Sequence, residues 1–403
     1  MAEILFLAHR LPFPPDKGDK IRSWHLLRHL AARHRVRLGA FVDAPEDWAH
    51  RTALEEICAE VFLRPLSRRQ LAWRAGRALV EGRPLTVAAY ADPAMRRWAG
   101  RKLASGTDLV FAFSGAMAQF FGHARQPRIL DLVDCDSEKW RALAKSSSWP
   151  RSALWRREAR LLLAWERRAA AASSRTLLVT EAERRLFLER APEAACSTGV
   201  LGNGVDAAFF DPASSLPDPW PADGRPRLVF TGLMDYPPNV EAVEWLARRV
   251  LPALRREMAR PVCFAIVGAR PVPRVMALAA DPQVLVTGRV PDVRPWLRWA
   301  DLAVAPLRVA RGVQNKVLEA MAMGKAVVCS PEARTGIEAR PGDEIVEAEG
   351  AAGFTAAIRR LLGDSGQAEE IGVRARMLVL RDLGWPARLA ALDALVDELL
   401  DAR

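Results

Sequence analysis

Short, continuously apolar runs alternate with longer amphipathic stretches along this chain. The first runs are EILFLAH (Glu3–His9), VRLGAFV (Val36–Val42), EVFLRPL (Glu60–Leu66), DLVFAF (Asp108–Phe113), RILDLVD (Arg128–Asp134) and RTLLVT (Arg175–Thr180). Runs of this length without period-2 polar positions suit strands covered on both faces, as in a parallel sheet. Helical spacing fills the gaps: Ile21 to about His34, Pro45–Cys58, most of Ser67–Leu103, Ser152–Ala172 and Glu181–Arg190. The alternation stops at Asp211–Pro226, DPASSLPDPWPADGRP, which has five prolines and no periodicity and reads as a linker. It then restarts with RLVFTG (Arg227–Gly232), VCFAIVGA (Val262–Ala269), VLVTGRV (Val284–Val290), DLAVAPL (Asp301–Leu307), AVVCS (Ala326–Ser330) and EIVEA (Glu344–Ala348). Helices are expected over Asn239–Glu257, Gly350–Gly363, Gln367–Arg381 and Pro386–Ala402. The expectation is an α/β chain of two Rossmann-like domains whose parallel sheets face a central cleft. The domains would span 1–210 and 227–382 around the 211–226 linker, with a last helix in 383–403 packing back across the junction.

The stretch Ala310–Ser330, ARGVQNKVLEAMAMGKAVVCS, concentrates the chemistry of the second half. A buried strand, DLAVAPL, leads through a loop with Gly312, Gln314 and Asn315 into a helix predicted over Lys316–Met323. Gly324 stands where a left-handed residue closes a helix. Loops beyond the carboxyl ends of parallel strands bind ligands, and a helix N-terminus favours an anion there. Lys316 in the first turn and Glu319 three residues on share one face. An ordinary surface ion pair on an α/β helix fits those two residues equally well.

In the first half, the loop RLPFPPDKGDK (Arg10–Lys20) is stiffened by prolines and carries Gly18 between Lys17 and Lys20. It reads as a ligand loop in preference to a connector with solvated lysines. Asp131, Asp134 and Asp136 cluster at a strand's carboxyl end, and Asp134-Cys135-Asp136 fits the DxD pattern that holds a divalent cation in one transferase class. Substrate contacts, or an N-cap by Asp136 and Ser137, are favoured there over a metal.

Composition narrows the classes. The chain has 403 residues, half of them hydrophobic, and no apolar run of membrane-spanning length. Its start, MAEILFLAHR, reads as a first strand and not as a signal peptide. Five scattered cysteines without a CxxC pair suggest reduced thiols in a cytoplasmic protein and no zinc site. The net charge of +11 comes almost wholly from arginine, since there are only seven lysines. Phosphate-bearing substrates, anionic membranes and nucleic acid all suit such a balance. The segment Ser67–Leu103, with SRRQLAWRAGRALVEGR and PAMRRWAGRKL, forms a basic amphipathic surface of the kind that lies on anionic membranes, although a solvated helix face with an inward Trp fits as well. Aromatic and basic residues alternate only within such helices, which argues against nucleic acid.

Taken together, NGVD…F, the Pro-rich linker, VFTG, FAIVG, VTGRV, DLAVAPL and KVLEAMAMGKAVV resemble a family 4 retaining glycosyltransferase of the GT-B fold. HRLPFPPDKGDKIRSWHLLRHLA, DCDSEKW, TGLMDYPPNVEAVEWL and QNKVLEAMAMGKAVV resemble more narrowly the sugar transferases associated with PEP-CTERM/exosortase systems and exopolysaccharide assembly. The resemblance implies a hexosyltransferase that moves a sugar from a nucleotide-sugar, with retention, to a glycan or polyprenyl-linked acceptor. It implies no cofactor and no metal, and a cytoplasmic place at the inner membrane face. Glu319 matches the carboxylate that binds ribose hydroxyls, and Lys316 would neutralise the departing diphosphate. Gln314, Asn315, Val317 and Leu318 would hold that diphosphate, with Gly18 approaching from the first domain and Gly232 from the strand before the site. Lys20, Ser114, Asp134 and Asp136 would seat the acceptor.

Two departures stand out. The family's usual E-x7-E would place a carboxylate at Arg311, and its usual Arg and Lys after the first strand of the second domain are absent from LMDYPPN (Leu233–Asn239). Arg308, Arg311 and Lys316 are therefore expected to supply the phosphate charge, with Arg289 as a further candidate and Asp235 or Asn239 touching the sugar. The alternative is a non-catalytic nucleotide- or membrane-binding protein of the same fold. A phosphorylase is disfavoured, because the second half has no lysine besides Lys316 and Lys325 to carry pyridoxal phosphate.

Overall fold

The computed structural model describes residues 1–122, 125–310 and 312–402. Each apolar run becomes a strand of a wholly parallel sheet. In the first unit the strands are β1 (Glu3–Ala8), β2 (Arg35–Val42), β3 (Glu60–Pro65), β4 (Leu109–Phe113), β5 (Arg128–Val133), β6 (Arg175–Leu178) and β7 (Thr198–Val200), in spatial order β3-β2-β1-β4-β5-β6-β7. The second unit has β8 (Arg227–Thr231), β9 (Cys263–Val267), β10 (Val284–Gly288), β11 (Leu302–Ala305), β12 (Val327–Cys329) and β13 (Val346–Glu347), in order β10-β9-β8-β11-β12-β13. Both orders reverse direction beside their first strand, between β1 and β4 and between β8 and β11. A doubly wound sheet opens a crevice for ligands at that point.

The strand interiors explain the absence of alternation. Ile4, Leu5, Phe6 and Leu7 are wholly buried, as are Phe264, Ala265, Ile266 and Val267, because helices cover both sheet faces. The helix Gly18–Arg33 sends Leu26, Leu27 and Leu30 inward while its arginines face out, Arg22 excepted. The helix expected from Asn239 begins two residues earlier, at Pro237, and passes through a wide turn at Leu246–Val250 before Leu251–Glu257. Pro252 lies just after that turn; it has no N–H to give the helix, and the widened turn accommodates it.

Several features differ from expectation. β7 is an addition, a helix Asp136–Ser146 starts where an N-cap by Asp136 and Ser137 is one of the two readings, with Cys135 at the cap instead, and the Pro45–Cys58 helix splits into a tight turn at Pro45–His50 and a short helix at Arg51–Glu55. The compact units are 1–202 with 389–403, and 203–388. The proline-rich segment is therefore not the boundary. Trp220 within it is buried, its ring lies 5.4 Å from Trp296, and its indole N–H donates to the Trp296 carbonyl at 3.2 Å. The last helix, Trp385–Asp401, contributes its second half to the first unit, where Asp393 meets His29 at 2.7 Å and Arg33 at 2.6 Å. Cys58, Cys135, Cys263 and Cys329 are buried free thiols, whereas Cys196 is exposed.

Candidate functional site

Three strands of the second unit end on glycines: Gly232 after β8, Gly268 after β9 and Gly288 closing β10, with φ of +153°, +157° and +67°. Their backbones interlock, Gly232 N–H donating to Val267 O at 3.0 Å and Gly268 N–H to Gly288 O at 3.2 Å. A methyl on Gly268 would lie 1.7 Å from Gly232 O, so no other residue fits there. A methyl on Gly232 would lie 2.7 Å from the Asn239 amide and 3.4 Å from Lys316 Cε. The missing side chains thus leave the switch-point end of the sheet open to the Lys316 side chain.

Lys316 arrives from the helix Asn315–Ala322, which follows β11. The helix begins one residue before the predicted Lys316, and Gly324 closes it with φ +66°. The ammonium lies 4.8 Å from the Phe230 ring centre and donates to Asn239 Oδ1 at 2.6 Å. Asn239 is itself buried and donates through Nδ2 to Leu233 O at 2.9 Å. Both ends of its amide are therefore engaged, and Asn239 holds Lys316 in position. Glu319 is half-buried one turn along, and its carboxylate has no hydrogen-bond partner among the described residues. A carboxylate with open acceptor sites beside an anchored ammonium suits a ligand that carries hydroxyls and an anion.

Both groups are displaced in charge. Burial pushes the Lys316 amine down from 10.5 to about 8, against the pull of Glu319. Burial pushes the Glu319 carboxyl up from 4.5 to about 7, against the pull of Lys316. Between pH 4.5 and about 7 the folded protein holds a proton on Glu319 that the unfolded chain has released, so stability falls as pH rises through that window. Between about 8 and 10.5 the unfolded chain holds the extra proton on Lys316, so stability rises with pH. At neutral pH both terms act against the fold, as expected of groups kept for a ligand. Glu319→Gln is expected to flatten the acid-side slope in urea melts taken across that window, while Asp393→Asn, at a surface pair, leaves it in place.

The other expected residues of this unit are spread more widely. Val317 and Leu318 have buried side chains, and their N–H groups donate to Gln314 O at 2.9 and 3.3 Å, so neither offers a free group to a ligand. Gln314 caps the helix and its Nε2 donates to Gly312 O at 3.3 Å, while Asn315 opens the first turn. Asp235 is exposed and pairs with Arg270 at 3.0 Å. Arg308 is exposed and pairs with Glu241 at 3.0 Å, so its charge is already compensated. Arg289, just past β10, is exposed and has no ion-pair partner among the described residues. Arg311 lies outside the described residues.

In the first unit the expected acceptor residues divide. Lys20 is 1% exposed and donates to Asp47 at 2.8 Å, a buried structural pair unavailable to a substrate. Asp131 is likewise internal, bound twice by Arg22 at 2.8 and 3.2 Å. Asp134 and Asp136 are half-buried and share Lys139, each at 2.9 Å, which supplies the positive charge that a DxD pair would otherwise seek. Val133 at φ +68° and Ser114 at φ +83° hold strained backbone at the ends of β5 and β4, and each therefore aims its neighbours at a set angle. Gly18 starts its helix with nothing within 4 Å of an added methyl, so any need for glycine there comes from outside the unit's own packing.

Residues 225–364 match the family described as Glycosyl transferases group 1. The chain is also 27% identical, over 215 residues, to the lipopolysaccharide core biosynthesis mannosyltransferase LpcC of Rhizobium leguminosarum bv. viciae; the match covers 50% of this chain and 60% of that relative. Among solved structures, Anabaena HepE in complex with UDP and glucose superposes with a TM-score of 0.66 at 16% identity, covering 98% of this chain and all of that one. Sucrose-phosphate synthase from Thermosynechococcus elongatus gives 0.69 at 17% identity over the whole of both chains. The fold is that of GT-B glycosyltransferases.

The segment that matches this family contains the glycine rim, Asn239, Lys316 and Glu319. Sequence reading missed Gly268, Gly288 and Phe230 as parts of it; the signal was present as three strands that each run into glycine. It also missed His9, Arg10 and Asp19 in the first unit. Those residues stand at the β1/β4 switch point, where Asp19 meets Arg10 at 2.8 Å and His9 at 3.4 Å, and His9 stacks on Phe113 at 5.6 Å. Burial opposes ionisation of Asp19, but the His9 hydrogen bond and Arg10 outweigh it and hold the carboxyl well below its usual range.

Proposed function

We propose that the protein transfers a sugar, with retention at the anomeric carbon and without a metal, from a nucleotide-sugar to a glycan or polyprenyl-linked acceptor. The donor binds the second unit and the acceptor the first. The setting is exopolysaccharide or cell-surface glycan synthesis at the cytoplasmic face of the inner membrane, in the manner of the PEP-CTERM/exosortase-associated transferases. The observation that carries this reading is the Lys316–Glu319 pair at the switch point of the segment that matches the glycosyl transferases group 1 family. Glu319 would accept hydrogen bonds from the ribose hydroxyls. Lys316, held by Asn239, would stabilise charge as it develops on the leaving diphosphate. With no enzymatic nucleophile identified among the described residues, the leaving diphosphate would take the proton of the acceptor hydroxyl on the same face. The protein would contribute position and field. HepE, solved with UDP and glucose, supports a nucleotide-sugar donor, and LpcC, named a mannosyltransferase, supports transfer of a sugar.

A thermal-shift screen against UDP-, GDP-, ADP- and TDP-sugars tests the reading. One class should raise the melting temperature in proportion to the logarithm of its concentration, and EDTA should not remove the shift. Silence with all four would end the donor assignment, and binding without transfer to any acceptor would mark a non-catalytic member of the fold.

A further inference from the structure

Away from both switch points, the first unit holds a cavity of about 550 Å³ bounded by the helices Arg68–Val80, Leu85–Ala88 and Pro93–Ala104 and the end of β3. Arg64, Arg74, Arg77, Arg83, Arg96 and Arg97 line it against two carboxylates, Glu81 and Asp92, an excess of four positive charges. Arg74 forms its floor: it is 7% exposed and is fixed by Asp92 at 3.2 Å and Ala89 O at 2.7 Å. Arg97 is exposed and without an ion-pair partner among the described residues. Guanidinium groups gathered in a concavity are suited to phosphate oxygens, which accept their paired N–H groups.

The surface beside the cavity is apolar. Trp73 is 65% exposed, Leu79 47% and Val80 90%. Trp73, Arg77 and Val80 follow at i, i+4 and i+7 on one helix face, and the Arg77 guanidinium lies 5.6 Å from the Trp73 ring. Water gives no reason to leave a tryptophan and a valine uncovered beside arginines. An interface of acyl chains below phosphates does, because the apolar groups enter one layer while the arginines reach the other. No helix among the described residues is long and apolar enough to cross a membrane, so contact of this kind would be from one side.

We propose that this cavity seats the phosphate of an anionic phospholipid headgroup, with Trp73, Leu79 and Val80 entering the interfacial layer. The proposal sharpens the placement at the membrane face and does not depend on sugar transfer, so it would stand if no nucleotide bound. The full chain is mixed with phosphatidylcholine vesicles with and without phosphatidylglycerol, and partitioning is measured by sedimentation. Arg77→Ala/Arg97→Ala should lower partitioning onto the anionic vesicles by about tenfold or more, and Trp73→Ser should lower it further. Arg249→Ala/Arg256→Ala removes the same charge from exposed positions of the second unit and should change partitioning by less than about twofold. Equal losses in both double variants would show that overall charge, and not the cavity, governs binding, and would overturn the proposal. So would absence of partitioning by the unaltered chain. Matching melting temperatures of the variants establish that lost partitioning is not lost folding.

Discussion

Lys316→Ala lowers kcat for sugar transfer by about 10²–10³-fold, the cost of removing one charged donor from a developing oxyanion, and leaves the protein at least as stable. The two halves of this expectation have one cause. Burial has already driven the amine down to about 8, so the folded protein carries a charge it does not favour. Removing the amine relieves that cost and also frees Asn239 from its 2.6 Å bond, while the Phe230 ring loses a cation 4.8 Å from its centre. Lys316→Met keeps the stem and separates charge from packing: it should match the alanine variant in kcat and exceed it in melting temperature. Transfer that continued unimpaired in either variant would remove Lys316 from the phosphate role. Because Lys316 loses its proton near pH 8, UDP-dependent stabilisation should weaken above that value, provided UDP is the donor nucleotide.

Asp131→Ala is expected to destabilise the first unit by about 3–5 kcal/mol, the usual cost of stranding one member of a buried ion pair. Arg22 and Asp131 are both fully buried; the guanidinium reaches the carboxylate through Nε at 2.8 Å and Nη2 at 3.2 Å, and the same carboxylate accepts from Val133 N–H at 3.1 Å. Those contacts tie the helix Gly18–Arg33 to the end of β5, where Val133 turns through a left-handed conformation into Asp134. Urea denaturation measures the loss. The double replacement Arg22→Met/Asp131→Leu should recover most of it, since no charge is then left buried alone. A cost below about 1 kcal/mol for Asp131→Ala would put the pair in the class of surface bridges and would contradict the buried geometry.

The apolar runs located twelve of the thirteen strands, because a strand covered on both faces must be apolar at every position and leaves a mark in the sequence. β7, only three residues long, leaves too short a mark to find. The start of the helix Asp136–Ser146 is visible as an N-cap signal in DSEKW, but the acidic residues there read equally as a substrate site. Proline content made Asp211–Pro226 look like a linker, but one buried tryptophan, Trp220, anchors it to the core of the second unit.

The chain by itself determined the strand-and-helix alternation, the two sheets, and the helix end that carries Lys316 and Glu319 between a loop and Gly324. These follow from local propensity and from spacing along one element. What only the tertiary structure decided is which charges are free. Lys20 and Asp131 look like Lys316 and Glu319 in the sequence, yet the first two are consumed by Asp47 and Arg22, residues 27 and 109 positions away. Asn239, 77 positions from Lys316, proved to be its anchor. A charge is structural or functional according to the partner that packing brings to it, and that partner is set by the order of strands across the sheet and not by neighbours along the chain.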